Sequence, residues 1–261
     1  MLFDVDGSKA EALAEKLGAE WFNSLHRVVH EADLVLLCTP IKETPKVIRE
    51  AIPHMREGAI ICEIASLKLK TVEALKSASG QGIQPVSIHP MFGPDVESIA
   101  GQTIILVPVS DPRKEECVTR DLFPGAEVAA LDAETHDYCM AAILSLTYFA
   151  NLVFAKSIQR MDPMLLRRLA GTTFTVQHAL AQSIVEESPE LVESLISENA
   201  YAKEAINRFI DDSRYLRRLL KKDPEGFKAL CGGLRATIGS HGRDWGRMRT
   251  ELSRALRSLA V

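Results

Sequence analysis

Residues 87–95 read Ser-Ile-His-Pro-Met-Phe-Gly-Pro-Asp. A short run of strand character delivers one imidazole, His89. Pro90 then stops further ladder pairing, because proline has no amide hydrogen to donate. Met91-Phe92-Gly93-Pro94 makes a stiff apolar turn behind it. An imidazole fixed at a strand end suits proton transfer near neutral pH, where the ring titrates. Taken alone, His89 also reads as a histidine satisfied within a turn. Two further stretches have residue types that could join it. Glu63-Ile-Ala-Ser66-Leu-Lys68 closes the preceding apolar run with a hydroxyl and a lysine. Ala133-Glu-Thr-His136-Asp137 opens a long helical pattern with a second imidazole. His26, His30, His54, His178 and His241 show no metal-ligand spacing, so no metal site is expected.

The elements that must position these groups differ between the two halves of the chain. Up to about residue 131, short apolar runs alternate with amphipathic helical patterns. Ser8-Lys9-Ala10-Glu11 reads as a capping box, and Gly18 stands where that helix should stop. Strands are expected at 32–40, 58–64 and into His89, with helices at about 43–55 and 68–78 between them. Continuous apolar strands separated by helices indicate a parallel sheet covered on both faces. Residues 102–108 and 126–131, with a helix near 113–122, extend the same sheet at its edge. From Asp132 the strands vanish. Asp132 can cap a helix of some 25 residues, apolar nearly all round between Met140 and Ala155. Such a helix is buried in a large domain or between subunits. More helices follow, with Pro163, Pro189 and Pro224 at first-turn or break positions. The expected organisation is a Rossmann-like α/β domain over 1–131 and an all-α substrate and dimerisation domain over 132–261.

Composition limits what such a molecule does. The chain has 261 residues, 46% hydrophobic and 25% charged, as expected of a globular protein with a real core. A net charge of −4 argues against nucleic acid as the partner of the whole molecule. Between Arg214 and Arg257, however, twelve Lys/Arg face four Asp/Glu. Solvated helix faces are the plain reading; an anionic ligand or an acidic partner surface is the sharper one. Arg243-Asp244-Trp245-Gly246-Arg247 reads as helix surface or dimer contact rather than a nucleic-acid contact. The five cysteines form no C-x-x-C pair and are an odd number, which suggests a reducing compartment and a cytoplasmic location. The apolar stretch Met140–Ala155 is 16 residues long and holds Ser145, Thr147 and Asn151, so no membrane span is expected from it.

A parallel sheet with chemistry at its strand ends suggests a nucleotide site beyond the carboxyl edge. The usual phosphate fingerprint, G-x-G-x-x-G between a first strand and helix, does not occur. The one G-x-G, Gly80-Gln81-Gly82, precedes a strand, and Pro85 takes the last glycine position. Leu2-Phe3-Asp4-Val5-Asp6-Gly7 instead resembles the second strand of such a fold running into its second helix. Asp4 would then sit where a carboxylate takes the hydroxyls of an adenosine ribose. The expectation is a Rossmann-like sheet without its central first strand, glycine loop and first helix.

Together the three stretches resemble the prephenate dehydrogenase family, which includes the arogenate and cyclohexadienyl enzymes of tyrosine biosynthesis. His-Pro-Met-Phe-Gly-Pro at 89–94 is the specific motif. Glu63-x-x-Ser66-x-Lys68 and His136-Asp137-x-x-Met140 are weaker pieces in the right order. The resemblance runs from Asp4 to at least residue 230. It implies an NAD-dependent oxidative decarboxylation of prephenate to 4-hydroxyphenylpyruvate by a homodimer. It implies that His89 takes the ring hydroxyl's proton, that Ser66 partners the same hydroxyl, and that His136 and Asp95 belong to the substrate pocket. Asp4 would hold the ribose, favouring NAD while leaving NADP open, and Thr39-Pro40 would flank the cofactor.

One position departs from the family pattern. Where the family commonly has a carboxylate-binding arginine, this chain has Ser183, and no arginine occurs between Arg168 and Arg208. A buried carboxylate without its cation costs several kcal/mol, as an order of magnitude. Either another cation substitutes, with Arg167, Arg168 and Arg214 as candidates, or the substrate is not prephenate. Two alternatives therefore stand beside the first reading. One is an arogenate or other hydroxy-acid dehydrogenase. The other is a non-catalytic dimeric remnant that binds an aromatic-pathway ligand.

Overall fold

The computed structural model describes residues 1–239 together with 246, 247, 250, 251 and 254. Arg243, Asp244, Trp245 and His241 lie outside the described residues. The chain forms two compact bodies. One comprises Met1–Ser145 with Glu190–Ala202; the other comprises Leu146–Pro189 and the chain from Lys203 onward.

The first body is built on five strands, β1 (Leu34–Leu37), β2 (Ile60–Glu63), β3 (Gln84–Pro90), β4 (Thr103–Leu106) and β5 (Glu127–Ala130), in that spatial order. β1, β2 and β3 are parallel, β3 and β4 antiparallel, and β4 and β5 parallel. Helices α1 (Gly7–Leu17), α2 (Leu25–Glu31), α3 (Thr44–Ala51), α4 (Leu69–Ser79), α5 (Pro112–Leu122) and α6 (Ala133–Met140) accompany them. The alternation of side chains along a strand sorts the core. Leu37 and Ile61 pack with Ile48 of α3 and Leu75 of α4. Cys62, Val86, Ile88, Ile104 and Leu106 pack with Val118 and Leu122 of α5. Ile48, Ile61 and Leu75 are fully buried, each contributing roughly 1.5–3 kcal/mol by removal from water.

The same parity sets the site. Glu63 lies beside Ser87 in the β2–β3 register, and His89 follows Ser87 by two residues. All three therefore leave the sheet on one side, and all three are buried.

The N-terminal segment agrees with expectation in leaving one edge of β1 open and departs from it in forming no regular strand. Leu2 makes only an isolated parallel bridge to Trp21, through Leu2 N to Glu20 O (2.8 Å) and Phe22 N to Leu2 O (2.8 Å). It does not pair with β1. Among the described residues nothing pairs with the other edge of β1, and Leu34 and Leu36 are exposed. Asp6, not Ser8, caps α1: its Oδ1 accepts from Ser8 N (3.1 Å) and Lys9 N (3.4 Å). An aspartate two residues earlier outcompetes the hydroxyl because its carboxylate can take two orphan amides at once. Gly18 ends the helix at φ 62°, a left-handed conformation that glycine adopts without strain. Helix α2 is additional to the elements the sequence pattern predicts; Ser24 caps it, and Val28 and Val29 are its buried face.

Asp132 caps α6, its Oδ1 accepting from Thr135 N at 2.8 Å. The helix continues through a π-helical turn, Ala141–Leu146, into α7 (Thr147–Ile158) of the second body. The whole run, Ala133–Ile158, is 26 residues, matching the helix of some 25 residues expected after Asp132. By length and composition alone it could cross a membrane. It carries buried His136, Asp137, Ser145 and Asn151, polar groups that a lipid-facing helix avoids.

Among the described residues, the regular elements of the second body are all helices. After α7 come α8 (Pro163–Leu169), α9 (Thr172–Glu186), α10 (Pro189–Ser197, whose residues from Glu190 belong to the first body), α11 (Ala202–Lys222) and α12 (Pro224–Gly239). Pro163, Pro189 and Pro224 each open a helix, where a missing amide hydrogen costs nothing. α7 and α9 pack through Phe154 and Phe174, with ring centroids 6.0 Å apart, and through Gln177 Nε2 to Asn151 Oδ1 at 2.7 Å.

Candidate active site

Three parallel strands end at one edge of the sheet, and each delivers a candidate residue there. Thr39-Pro40 follows β1, Ser66 follows β2, and His89 stands near the end of β3. Beyond His89, Pro90 lies opposite Ile104 and Met91 N donates to Thr103 O at 2.9 Å, so the turn is tied to β4.

His89 is 6% exposed, and its Nδ1 lies 3.0 Å from Nε2 of His136. The two rings meet edge to face, with centroids 5.2 Å apart. His136 is fully buried on α6, and its Nδ1 lies 2.8 Å from Oδ1 of Asp137. That carboxylate also accepts from the backbone amides of Lys68 (2.8 Å) and Leu69 (3.0 Å). The loop between β2 and α4 is thus pinned to the start of the long helix. Asn199 adds a further tie, donating from Nδ2 to Asp137 O at 2.8 Å.

A second buried network backs the first. Lys68 Nζ donates to Glu63 Oε1 at 2.8 Å, and both side chains are fully buried. The ammonium also bonds the carbonyl of Ile88, and Ser87 Oγ donates to Glu63. Ala65 N donates to Glu63 Oε2 at 2.8 Å, winding the loop around the carboxylate. A buried charge pair persists only when its remaining polar atoms are satisfied, and this one meets that condition.

These surroundings set the ionisation of His89. Burial pushes its pKa down to about 3, helped by the Lys68 ammonium and then by His136. Burial likewise lowers the Lys68 pKa, with Glu63 acting in the opposite direction. At neutral pH His89 is therefore a neutral ring. Its Nε2 is bonded to no described residue, yet no fully buried side-chain nitrogen or oxygen among the described residues lacks a partner. Nε2 is consequently the atom through which this buried ring meets accessible space. A neutral, fixed imidazole with one open nitrogen can accept a hydroxyl proton.

The other sequence candidates lie around this centre in varied settings. Ser66 is half-buried in the loop that Glu63 and Lys68 anchor. Thr39 is half-buried, its Oγ1 2.9 Å from Oγ1 of Thr44 at the start of α3; Pro40 is exposed. Asp95 is exposed in the loop after β3 and is not among the groups bonded to His89 or His136. Asp4 is exposed, its Oδ1 accepting from Asp6 N at 2.8 Å. His136 faces His89 and Asp137 with both ring nitrogens. In the second body, Arg167, Arg168 and Ser183 are exposed, and Arg214 is exposed and paired with Asp211 at 2.8 Å. Sequence reasoning gave no role to Glu63, Lys68 or Asp137. Their signal is present in the sequence, since Glu63 and Lys68 bracket Ser66 and Asp137 follows His136 directly.

Known proteins resemble the chain in both bodies. The family model described as prephenate dehydrogenase, nucleotide-binding domain, matches residues 1–126. The one described as prephenate dehydrogenase, dimerization domain, matches residues 132–232. A probable arogenate/prephenate dehydrogenase of Methanocaldococcus jannaschii is 27% identical over 91% of this chain and 55% of its own length, so this chain spans little more than half of that relative. A 4-amino-4-deoxyprephenate dehydrogenase of Streptomyces pristinaespiralis is 28% identical over 86% of this chain and 77% of its own. The crystal structure of prephenate dehydrogenase from A. aeolicus, in complex with hydroxyphenyl propionate and NAD+, is similar in fold. Its TM-score is 0.72 at 21% identity, covering 90% of this chain and 86% of that one.

Proposed function

We propose a reaction for this chain on one premise: the chain belongs to the prephenate dehydrogenase family, whose members are NAD(P)-dependent oxidoreductases. The reaction is the NAD-dependent oxidative decarboxylation of prephenate to 4-hydroxyphenylpyruvate. The observation that carries it is the neutral, buried His89 with an open Nε2 at the carboxyl edge of the parallel strands.

The substrate is a cyclohexadienol with a carboxylate-bearing quaternary carbon opposite its hydroxyl. Loss of hydride from the carbinol carbon builds positive charge there, and His89 Nε2 accepts the hydroxyl proton as that charge develops. General-base help of this kind contributes about 10²–10⁴-fold. Ser66, beside the loop anchored by Glu63, orients the same hydroxyl. Departure of carbon dioxide makes the ring aromatic and the step irreversible. Asp95 and His136 were the sequence candidates for the pocket; the bonds of His136 favour a supporting role behind His89.

The carboxyl edge of β1–β3 suits a dinucleotide by its parallel topology and by the exposed carboxylate of Asp4. When bound, NAD supplies the hydride acceptor. Asp4 would hold the ribose, favouring NAD over NADP, and Thr39 and Pro40 would flank the cofactor. No residue is assigned to the pyrophosphate, since the sequence has no G-x-G-x-x-G. We place the nucleotide site in residues 1–131 and the dimer contacts in 132–261. Exposed Val153, Leu180 and Val185 support a homodimer through the helical body. The five free thiols suit the cytoplasm.

Ser183 favours a second reading, a related substrate with a different charge pattern. The Streptomyces relative is named for a substrate with an amine where prephenate has its hydroxyl. Following NADH formation at millimolar NAD with prephenate, arogenate and 4-amino-4-deoxyprephenate separates these readings. The proposal expects the highest kcat/KM with prephenate. Preference for either other substrate selects the second reading. Turnover of none of the three refutes both and favours a non-catalytic dimeric remnant.

A further inference from the structure

The proposed reaction gives His89 a proton, and His89 is badly placed to keep it. We infer that His136 and Asp137 form a relay behind His89, so that a proton accepted at Nε2 of His89 leaves the positive charge on His136. This rests on the reaction above for its proton donor, but the relay itself follows from the bonds.

The Asp137 carboxylate is only an acceptor, and Lys68 N, Leu69 N and His136 Nδ1 surround it at 2.8, 3.0 and 2.8 Å. Nδ1 of His136 must therefore carry a hydrogen. A neutral His136 then presents a lone pair at Nε2. His89 Nδ1, 3.0 Å away, must donate to it. With its hydrogen on Nδ1, neutral His89 has its lone pair at the open Nε2. One carboxylate thus fixes the tautomers of two rings, and the second ring is the base.

The proton path follows the same bonds. The substrate O–H bond breaks and a bond to His89 Nε2 forms. The hydrogen on His89 Nδ1 passes to His136 Nε2. His89 ends neutral, now as the Nε2–H tautomer, and His136 ends as an imidazolium beside Asp137. No oxidant or further reactant is needed, and the path runs backwards to water once the product has left.

Charge placement favours this end state. Lys68 and His136 are the ionisable groups acting on His89, and a cation on His89 would face the Lys68 ammonium in a buried site. Glu63, the nearby carboxylate, is already bonded by Lys68 and Ser87. A cation on His136 instead faces a carboxylate oxygen at 2.8 Å. His136 and Asp137 are accordingly positioning residues, since neither reaches the accessible side of His89.

Long-range proton–nitrogen correlation of the ¹⁵N-labelled chain reads tautomers directly, with His89→Asn and His136→Asn assigning the signals. At high pH both rings should be Nδ1–H. As pH falls, the first proton should make His136 doubly protonated while His89 stays neutral and moves its hydrogen to Nε2. A His89 that becomes imidazolium first, or that is Nε2–H at high pH, overturns the relay. Asp137→Asn should abolish the coupled switch and lower kcat at least tenfold with a smaller change in KM. Unchanged tautomers in that variant would leave Asp137 merely structural and overturn its part. If the variant does not fold, the wild-type titration still decides. A coupled switch in a chain that oxidises none of the three substrates would refute the reaction and keep the relay.

Discussion

The two bodies of this protein use polar atoms in opposite ways. The sheet body buries Glu63, Lys68, Ser87, His89, His136 and Asp137 in linked networks at the carboxyl edge of its strands. The helical body buries few polar side chains and leaves Val153, Leu180 and Val185 exposed. Chemistry requires groups whose ionisation is controlled, and control comes from burial beside named charges. Association requires only apolar surface of the right shape. The difference separates changes that alter chemistry or folding from changes that alter assembly.

Breaking the Glu63–Lys68 pair should have the largest effect on folding. Lys68→Met leaves a buried carboxylate without its cation, and such losses cost about 3–5 kcal/mol. Chemical denaturation of this variant and of Lys68→Met/Glu63→Leu should show the double change recovering most of the loss. Equal destabilisation in both would mean that the charges contribute little beyond packing.

Acid should weaken the sheet body in a defined window. The folded His89 pKa is depressed to about 3, below the ordinary value near 6.5. The unfolded chain therefore binds more protons between those values, so stability is full above about 6.5 and falls as pH is lowered toward 3. The slope from this one group reaches about 1.4 kcal/mol per pH unit. His89→Asn should flatten that part of a denaturation profile. A profile unchanged by the substitution would place the depressed group elsewhere.

The smallest effect on folding should come from the helical body. Val153→Lys with Leu180→Glu should shift sedimentation from dimer to monomer while hardly moving the thermal transition of the sheet body. Loss of the sheet transition as well would show that the two bodies do not divide labour as described.

Much of this contrast is legible in the residues. The apolar runs at 34–37 and 60–62 announce parallel strands, although β1 leaves Leu34 and Leu36 exposed rather than buried, and Pro163, Pro189 and Pro224 mark helix starts because only a first turn spares the missing amide. His89 is legible from its motif, but Pro90 does not stop the pairing as expected. It lies opposite Ile104 within β3, and Met91 N still bonds Thr103 O, because that ladder asks no amide hydrogen of residue 90. The relay is not legible, because Asp137 meets Lys68 across 69 positions of sequence and a local pattern carries no such pairing. Leu2-Phe3 has strand character, yet it forms a single bridge, since a strand is defined by its neighbours as much as by its residues. Asp6 and Ser8 are both good caps, and Asp6 prevails because its carboxylate accepts from two orphan amides.

The central claim is that His89 is the proton acceptor of a dehydrogenase reaction. Its direct measurement is steady-state NADH formation from prephenate by the wild-type chain and by His89→Asn at saturating substrate and NAD. The account predicts a kcat lower by about two to four orders of magnitude in the variant with KM for prephenate nearly unchanged. A variant that turns over at close to the wild-type rate would contradict it.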